Sequence, residues 1–193
     1  MEVKRIAIFA SGSGSNAQKI FEYFADNKLI KVDCLLSNNP NALALERAKK
    51  SGIDTLVFTR QQFYESFFVE NFLDERKINL VVLAGFLWLV PEKMVRKFKI
   101  INIHPALLPA YGGKNMYGMK VHQAVIDNKE THSGITIHYV NEKYDEGTII
   151  FQAKCYIPET DTPESLAEKI HVLEHKYFPE VIERVLMEDY PEL

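Results

Sequence analysis

Cysteine is nearly absent from this chain, with Cys34 and Cys155 the two present in 193 residues. Each lies in an apolar, strand-like run, so a disulfide-stapled secreted fold is disfavoured and both are expected as small core residues in a reducing, cytoplasmic setting. No apolar run approaches the roughly 20 residues of a membrane span. The apolar part of "VKRIAIFA" at the start is too short for a signal peptide, so neither export nor membrane insertion is expected. An excess of positive charge is missing as well. With a net charge of -3, the composition argues against a nucleic-acid partner. Repeats, low-complexity tracts and linkers are lacking too, which predicts a single domain over residues 1–193.

What is present is a rhythm. Short apolar runs alternate with segments of helical period: "RIAIFA" then 16 to 26, "VDCLLS" then 41 to 51, "TLVF" then 61 to 76, "LVVLAG" then 91 to 98, and "IINIHP". The expected fold class is therefore α/β, a doubly wound, mostly parallel sheet with ligands at the carboxyl ends of its strands. After a short helix over 119 to 127, "SGITIHYV" and "GTIIFQAKCYI" are separated by a polar turn, which predicts an antiparallel C-terminal extension. Thr162 as N-cap, Pro163 at the first helical position and Glu164 in the first turn open a last helix with apolar residues at 166, 170, 173, 177, 181 and 185.

Three stretches carry candidate chemistry. "FASGSGSNA" follows the first strand and opens the first helix, where backbone N–H groups and the helix dipole can hold an anion. A phosphomonoester at Gly14, Ser15 and Asn16, a purely structural turn, and a dinucleotide fingerprint are all compatible with it. The dinucleotide reading lacks its acidic ribose reader, because the second strand ends in Ser37-Asn38-Asn39. In "IINIHPALLPAYGG", Asn102 and His104 share one face of an extended chain while Ile101 and Ile103 take the other, and Pro105 puts His104 at a strand end. "NEKYDEGTII" places Asp145 in a polar turn, where turn chemistry alone would also explain it. A His, an Asn and an Asp nevertheless suit acyl transfer from an amide-like donor to an amine, and no Ser or Cys nucleophile accompanies them. His171 and His175 stand one helical turn apart without a third ligand, so no metal is expected.

Taken together, the Gly-Ser-Asn loop, "VVLAGFLWLVP", "NIHPALLPAY", "YDEGTIIFQ" and "LEHKYFP" resemble, in the same order from about residue 4 to 185, the glycinamide ribonucleotide formyltransferases of purine biosynthesis. The resemblance implies a formyltransferase-like fold and formyl transfer from 10-formyltetrahydrofolate to the amine of glycinamide ribonucleotide. It implies His104 as proton donor, Asn102 beside it, and Asp145 as the carboxylate that raises the histidine pKa. Gly14, Ser15 and Asn16 match the family's phosphate loop, and His171 to Glu174 match the segment receiving the substrate amine and ribose. For the folate it implies Leu87, Trp88, Leu89 and Val90 at the pterin with Asn102, Asn141, Tyr144 and Asp145 opposite, and Arg60 at the glutamate tail. Two departures stand out. The loop "YGGKNMYGMKVH" is longer than in many members, with Lys114, Tyr117 and His122 as candidate contacts and its glycines suggesting a mobile lid. Trp88 occupies a position where many relatives carry a basic residue. A folate hydrolase is expected to bring an extra N-terminal domain, and a methionyl-tRNA formyltransferase an RNA-contacting C-terminal one; neither is expected here, nor a non-catalytic binder. A monomer or homodimer acting on small molecules is the expected form.

Overall fold

A computed structural model describes residues 2–187 of the chain. The apolar runs form seven strands: β1 (Lys4–Phe9), β2 (Ile30–Ser37), β3 (Asp54–Val57), β4 (Leu80–Leu83), β5 (Ile100–His104), β6 (His132–Tyr139) and β7 (Ile149–Tyr156). They make one sheet in the order β3-β2-β1-β4-β5-β6-β7. The first five run parallel, and β6 and β7 add on antiparallel, as the sequence predicts. Between them run α1 (Ser15–Phe24), α2 (Leu43–Lys50), α3 (Arg60–Tyr64), α4 (Phe68–Glu75), α5 (Glu92–Val95), α6 (Met119–Asp127) and α7 (Pro163–Leu186).

Strand alternation sorts the core into two layers. Ile6 and Ile8 of β1, Leu80 and Val82 of β4, and Ile101 and Ile103 of β5 pack on one face with α1, α2 and α7. Ala7, Phe9, Val81, Leu83 and Ile100 pack on the other with Phe63, Val69 and Leu73 of α3 and α4. Asn102 and His104 share the parity of Ile100, so they leave the sheet opposite Ile101 and Ile103 as expected. The strand order reverses between β1 and β4, and such a reversal opens a crevice at the carboxyl ends of those two strands. Both β1 and β4 are followed there by candidate ligand loops.

The longest helix, α7, starts where the sequence places it. Thr162 accepts from Ser165 N and Ser165 returns a bond to Thr162 N, a closed capping box with Pro163 just inside. Leu166, Ile170, Phe178, Val181, Ile182 and Val185 are buried along it, and Leu173 and Tyr177 are partly buried. Six such side chains contribute on the order of 10 kcal/mol before the entropy of ordering. Two helices differ from expectation. The segment 61 to 76 is broken in two because Ser66 Oγ donates to Gln62 O and accepts from Phe68 N, so its hydroxyl takes the place of ladder bonds. The helix expected over 91 to 98 shrinks to Glu92–Val95. Cys34 is buried as expected, with burial pushing its thiol up to about 12, whereas Cys155 is only half-buried. No helix among the described residues is long and apolar enough to cross a membrane.

Candidate active site

The crevice at the strand reversal is a cavity of about 420 Å³, lined by residues from the loops after β1, β4 and β5, from the 113–118 loop, and from α7. At one end the Gly12–Asn16 loop leads into α1. Gly14 adopts a left-handed conformation (φ 71°), and a Cβ there would lie 2.6 Å from Ala44 Cβ, so only glycine lets α2 approach this closely. No side chain caps α1, which leaves its first N–H groups facing the cavity end. The Ser37-Asn38-Asn39 run has a bracing use: Asn38 Oδ1 accepts from Ser11 Oγ at 2.7 Å and Asn39 Nδ2 donates to Ser11 O at 3.1 Å. Ser11 Oγ in turn accepts from Leu87 N at 3.1 Å and ties the β1 loop to the β4 loop.

Glu174 projects from α7 onto this end and is 6% exposed, so it is not part of a solvated helix face. Asn16 Nδ2 donates to its Oε2 at 3.0 Å. Burial pushes the Glu174 carboxyl up to about 7, against the downward pull of that bond. Asn16 Oδ1 is buried and has no hydrogen-bond partner among the described residues. His171, more exposed, lines the same end and stacks on His175 at 5.9 Å.

Asn102, His104 and Asp145 converge elsewhere on the same cavity, two from β5 and one from the turn between β6 and β7. His104 Nδ1 stands 3.5 Å from Asp145 Oδ2. His104 Nε2 lies 2.7 Å from the Tyr111 carbonyl, an atom that can only accept, so this nitrogen carries a proton and Nδ1 is the basic position. Asp145 is held in a left-handed conformation (φ 57°), and its Oδ2 accepts from Gly113 N at 2.9 Å. Asn102 Nδ2 donates to His138 Nε2 at 3.1 Å and reaches Asp145 Oδ1 at 3.4 Å, so the second N–H is only weakly engaged.

Asp145 pulls the His104 pKa up as expected, but burial sets the net direction. Burial lowers the His104 pKa below its ordinary value, outweighing the upward pull of Asp145 and of the Tyr111 bond. The carboxylate acts in the direction expected from its charge, but a ring 3% exposed loses more to desolvation than it gains. Burial also pushes Asp145 up, yet His138, His104 and the Gly113 N–H together bring it below the usual carboxylate range. An uncharged His104 therefore faces a charged Asp145.

Leu87, Trp88, Leu89 and Val90 line the cavity beside this trio, with Tyr144 and Asp145 opposite. Trp88 belongs to an aromatic group with Phe58, Phe63, Tyr64 and Phe86. Arg60 does not line the cavity; its guanidinium lies 4.9 Å over Tyr64 and 5.7 Å over Trp88, at the outer edge of that group. Asn141 is not a lining residue either, because its Oδ1 accepts from Lys143 N at 3.0 Å and shapes the turn. Lys114, Tyr117 and His122 all line the cavity. Sequence reasoning missed His138, which pairs with Asn102 across the β5–β6 ladder and is 2% exposed. Its signal was the alternation of "SGITIHYV", which puts Thr136 and His138 on one face, but strand register is needed to aim that face at Asn102. Among the described residues no group of three or more His, Cys, Asp or Glu is placed to hold a metal ion.

Residues 4–182 match the family described as Formyl transferase. The chain is 41% identical over 187 residues to the chloroplastic phosphoribosylglycinamide formyltransferase of Arabidopsis thaliana, covering 93% of this chain and 64% of the relative. It thus spans a little under two thirds of that plant relative, and 62% of the one from Vigna unguiculata. With the phosphoribosylglycinamide formyltransferase of Bacillus subtilis it shares 35% identity, and 95% of each chain is covered. Among solved structures, the phosphoribosylglycinamide formyltransferase of Anaplasma phagocytophilum is similar with a TM-score of 0.87 at 33% identity, over 97% of this chain and 89% of that one.

Proposed function

The chain belongs to the formyl transferase family, and from that premise we propose that it moves the formyl group of 10-formyltetrahydrofolate onto the amine of glycinamide ribonucleotide, as one domain needing no metal. One observation carries this reading. A single cavity joins a helix N-terminus suited to a phosphate, with Glu174 beside it, to Asn102, His104 and Asp145, and then to the apolar walls of Leu87–Val90. That sequence of environments suits a phosphorylated ribose at one end, a reacting amine and formyl carbon in the middle, and a flat heterocycle at the other end.

The reaction forms one C–N bond and breaks another, and moves one proton from the amine to the folate nitrogen that departs. His104 suits that transfer because it enters uncharged with Nδ1 free to accept a proton, while Asp145 beside it stabilises the imidazolium once formed. Charged His104 then supplies the proton to the departing nitrogen. Asn102, through its weakly engaged N–H, donates to the oxyanion that develops on the formyl oxygen. Glu174 accepts from a ribose hydroxyl or the amine, and Gly14, Ser15 and Asn16 offer backbone N–H groups to the phosphate. Trp88 and its neighbours hold the heterocycle, and Arg60, stacked on Trp88, faces the anionic tail beyond it.

The test measures consumption of 10-formyltetrahydrofolate by purified protein with and without glycinamide ribonucleotide. Turnover that requires the ribonucleotide is expected, since the phosphate end and Glu174 have no use in hydrolysis. Equal turnover without it would reassign the chain to cofactor hydrolysis.

A further inference from the structure

The segment Tyr111–Gly113 touches both members of the proton-transferring pair with its backbone. The Tyr111 carbonyl accepts from His104 Nε2 at 2.7 Å, and two residues on, Gly113 N donates to Asp145 Oδ2 at 2.9 Å. Between them Gly112 is pressed against the pair, because a Cβ there would lie 3.2 Å from Asp145 Cβ and 2.5 Å from Leu108 Cδ2. Both flanking residues have left-handed backbones, Tyr111 at φ 58° and Gly113 at φ 95°. For tyrosine that conformation is unfavourable and needs an external tie. The tie is visible at the far end of the side chain. Tyr111 Oη donates to Glu130 Oε1 at 2.7 Å and accepts from Asn128 Nδ2 at 3.1 Å, both residues lying between α6 and β6. Its ring packs on the apolar layer above β5 and β6.

We propose that Tyr111, anchored through its hydroxyl by Glu130 and Asn128, is a positioning residue that fixes His104 in the Nε2–H tautomer and seats Gly113 on Asp145. The inference rests on the reading of His104 and Asp145 as the reacting pair. Tautomer choice matters because only the Nε2–H form leaves Nδ1 unprotonated and able to take up a proton, with Asp145 beside it to stabilise the imidazolium that forms; the other tautomer would already carry its proton on Nδ1 and leave the Tyr111 carbonyl without its donor. Burial and Glu130 push the Tyr111 hydroxyl's pKa up, so it remains a donor throughout the working pH range. The charged or titratable groups facing His104 are Asp145 from the β6–β7 turn, His138 from β6 and His122 from α6. None of them hydrogen-bonds Nε2, which leaves the Tyr111 carbonyl as its partner.

The test uses full-length protein with 15N-labelled histidine, read by long-range proton–nitrogen correlation and by steady-state kinetics. In the wild type His104 is expected as the Nε2–H tautomer above its pKa. Tyr111→Phe removes the hydroxyl tie and should lower kcat about fivefold, and Tyr111→Ala about thirtyfold, with KM for both substrates within about threefold and a mixed tautomer signal for His104. Glu130→Gln keeps an acceptor and should behave as wild type, whereas Glu130→Ala should follow Tyr111→Phe; the two Glu130 variants test the same tie should Tyr111→Ala fail to fold. A wild-type tautomer in Tyr111→Ala or Glu130→Ala overturns the inference, whatever the rate. The tautomer signal needs no substrate, so a wild type that shows it yet transfers no formyl group would sink the functional reading and leave this one standing.

Discussion

Asn16 Nδ2 donates to Glu174 Oε2 at 3.0 Å, joining the first helix to the last across 158 positions. Burial leaves this carboxyl in a nearly dry environment, and against the downward pull of that bond its pKa rises from 4.5 to about 7. Between those two values the folded chain keeps a proton that the unfolded chain has released, so stability falls as pH rises through that window, and the full penalty stands at pH 8. Glu174→Gln keeps the shape and removes the penalty. At pH 8 the variant should exceed wild type in stability by up to about 3 kcal/mol, with the difference closing below pH 4.5. Urea denaturation at the two pH values measures it, and identical midpoints at pH 8 would mean that the carboxyl is already solvated.

Asp145, ahead of the Tyr111 bond, pulls the His104 pKa up against burial. Asp145→Asn removes the charge at constant shape, so the histidine pKa should fall further below its ordinary value. We expect kcat to drop on the order of a hundredfold, with both KM values much less affected. Residual activity should move toward lower pH, following the histidine. A nuclear magnetic resonance titration of His104 in both forms reads the shift directly, and an unchanged pKa would assign the carboxylate another task.

Much of this was legible beforehand because it rests on local rules. Period-2 alternation alone put Asn102 and His104 on the face opposite Ile101 and Ile103, and the capping signals Thr162 and Pro163 fixed where α7 begins. Elements failed where one side chain overruled a periodic pattern, as Ser66 does between α3 and α4. Within the site, the direction of Asp145's effect on His104 could be reasoned from charge, but its net outcome could not, since burial is a property of the whole fold. The same holds for His138, whose partner is set by the β5–β6 register, and for Glu174, whose burial depends on α7 docking against α1.

Trp88 holds the guanidinium of Arg60 against an aromatic group at the cavity mouth. If the heterocycle and its tail bind there, Trp88→Ala removes stacking surface and the platform for Arg60 together. The expected result is about a thirtyfold rise in KM for the folate, given stacking and cation–π contributions of about 1 kcal/mol each, with KM for the ribonucleotide unchanged. Steady-state kinetics with each substrate varied separately decides it, and a rise confined to the ribonucleotide would place the folate elsewhere.

His122 is buried in α6 with Nδ1 unpartnered among the described residues, and burial lowers its pKa to about 4. Its folded value is depressed, so the stability it allows is present above the unfolded value of about 6.5 and is lost as pH falls from there toward 4. His104 adds to the loss in the same direction. His122→Phe should flatten the acid side of the stability profile between pH 6.5 and 4. Thermal unfolding across that range checks it, and a wild-type slope in the variant would show that the imidazole is hydrated in solution.

Gly14 stands where the backbone of the Gly12–Asn16 loop meets α2. A methyl group there would approach Ala44 Cβ to 2.6 Å and Ala44 Cα to 2.7 Å. The second of these atoms belongs to the backbone, and it cannot retreat cheaply because Ala44 N donates to Gly12 O at 3.1 Å, locking α2 to the loop. The left-handed φ of 71° adds a conformational cost of about 1–2 kcal/mol for any L residue, and overpacking adds about 1–3 kcal/mol. Gly14→Ala should therefore lose roughly 2–5 kcal/mol of stability. In whatever fraction remains folded, the N–H groups of Ser15 and Asn16 are displaced, so KM for the ribonucleotide should rise more than KM for the folate. Gly12→Ala is the control for stability, because a Cβ at Gly12 meets nothing within 4 Å and its φ lies outside the left-handed region. Chemical denaturation of the two variants separates steric loss at Gly14 from a general intolerance of the loop. If both lose stability equally, the close approach of α2 is not what requires glycine at position 14.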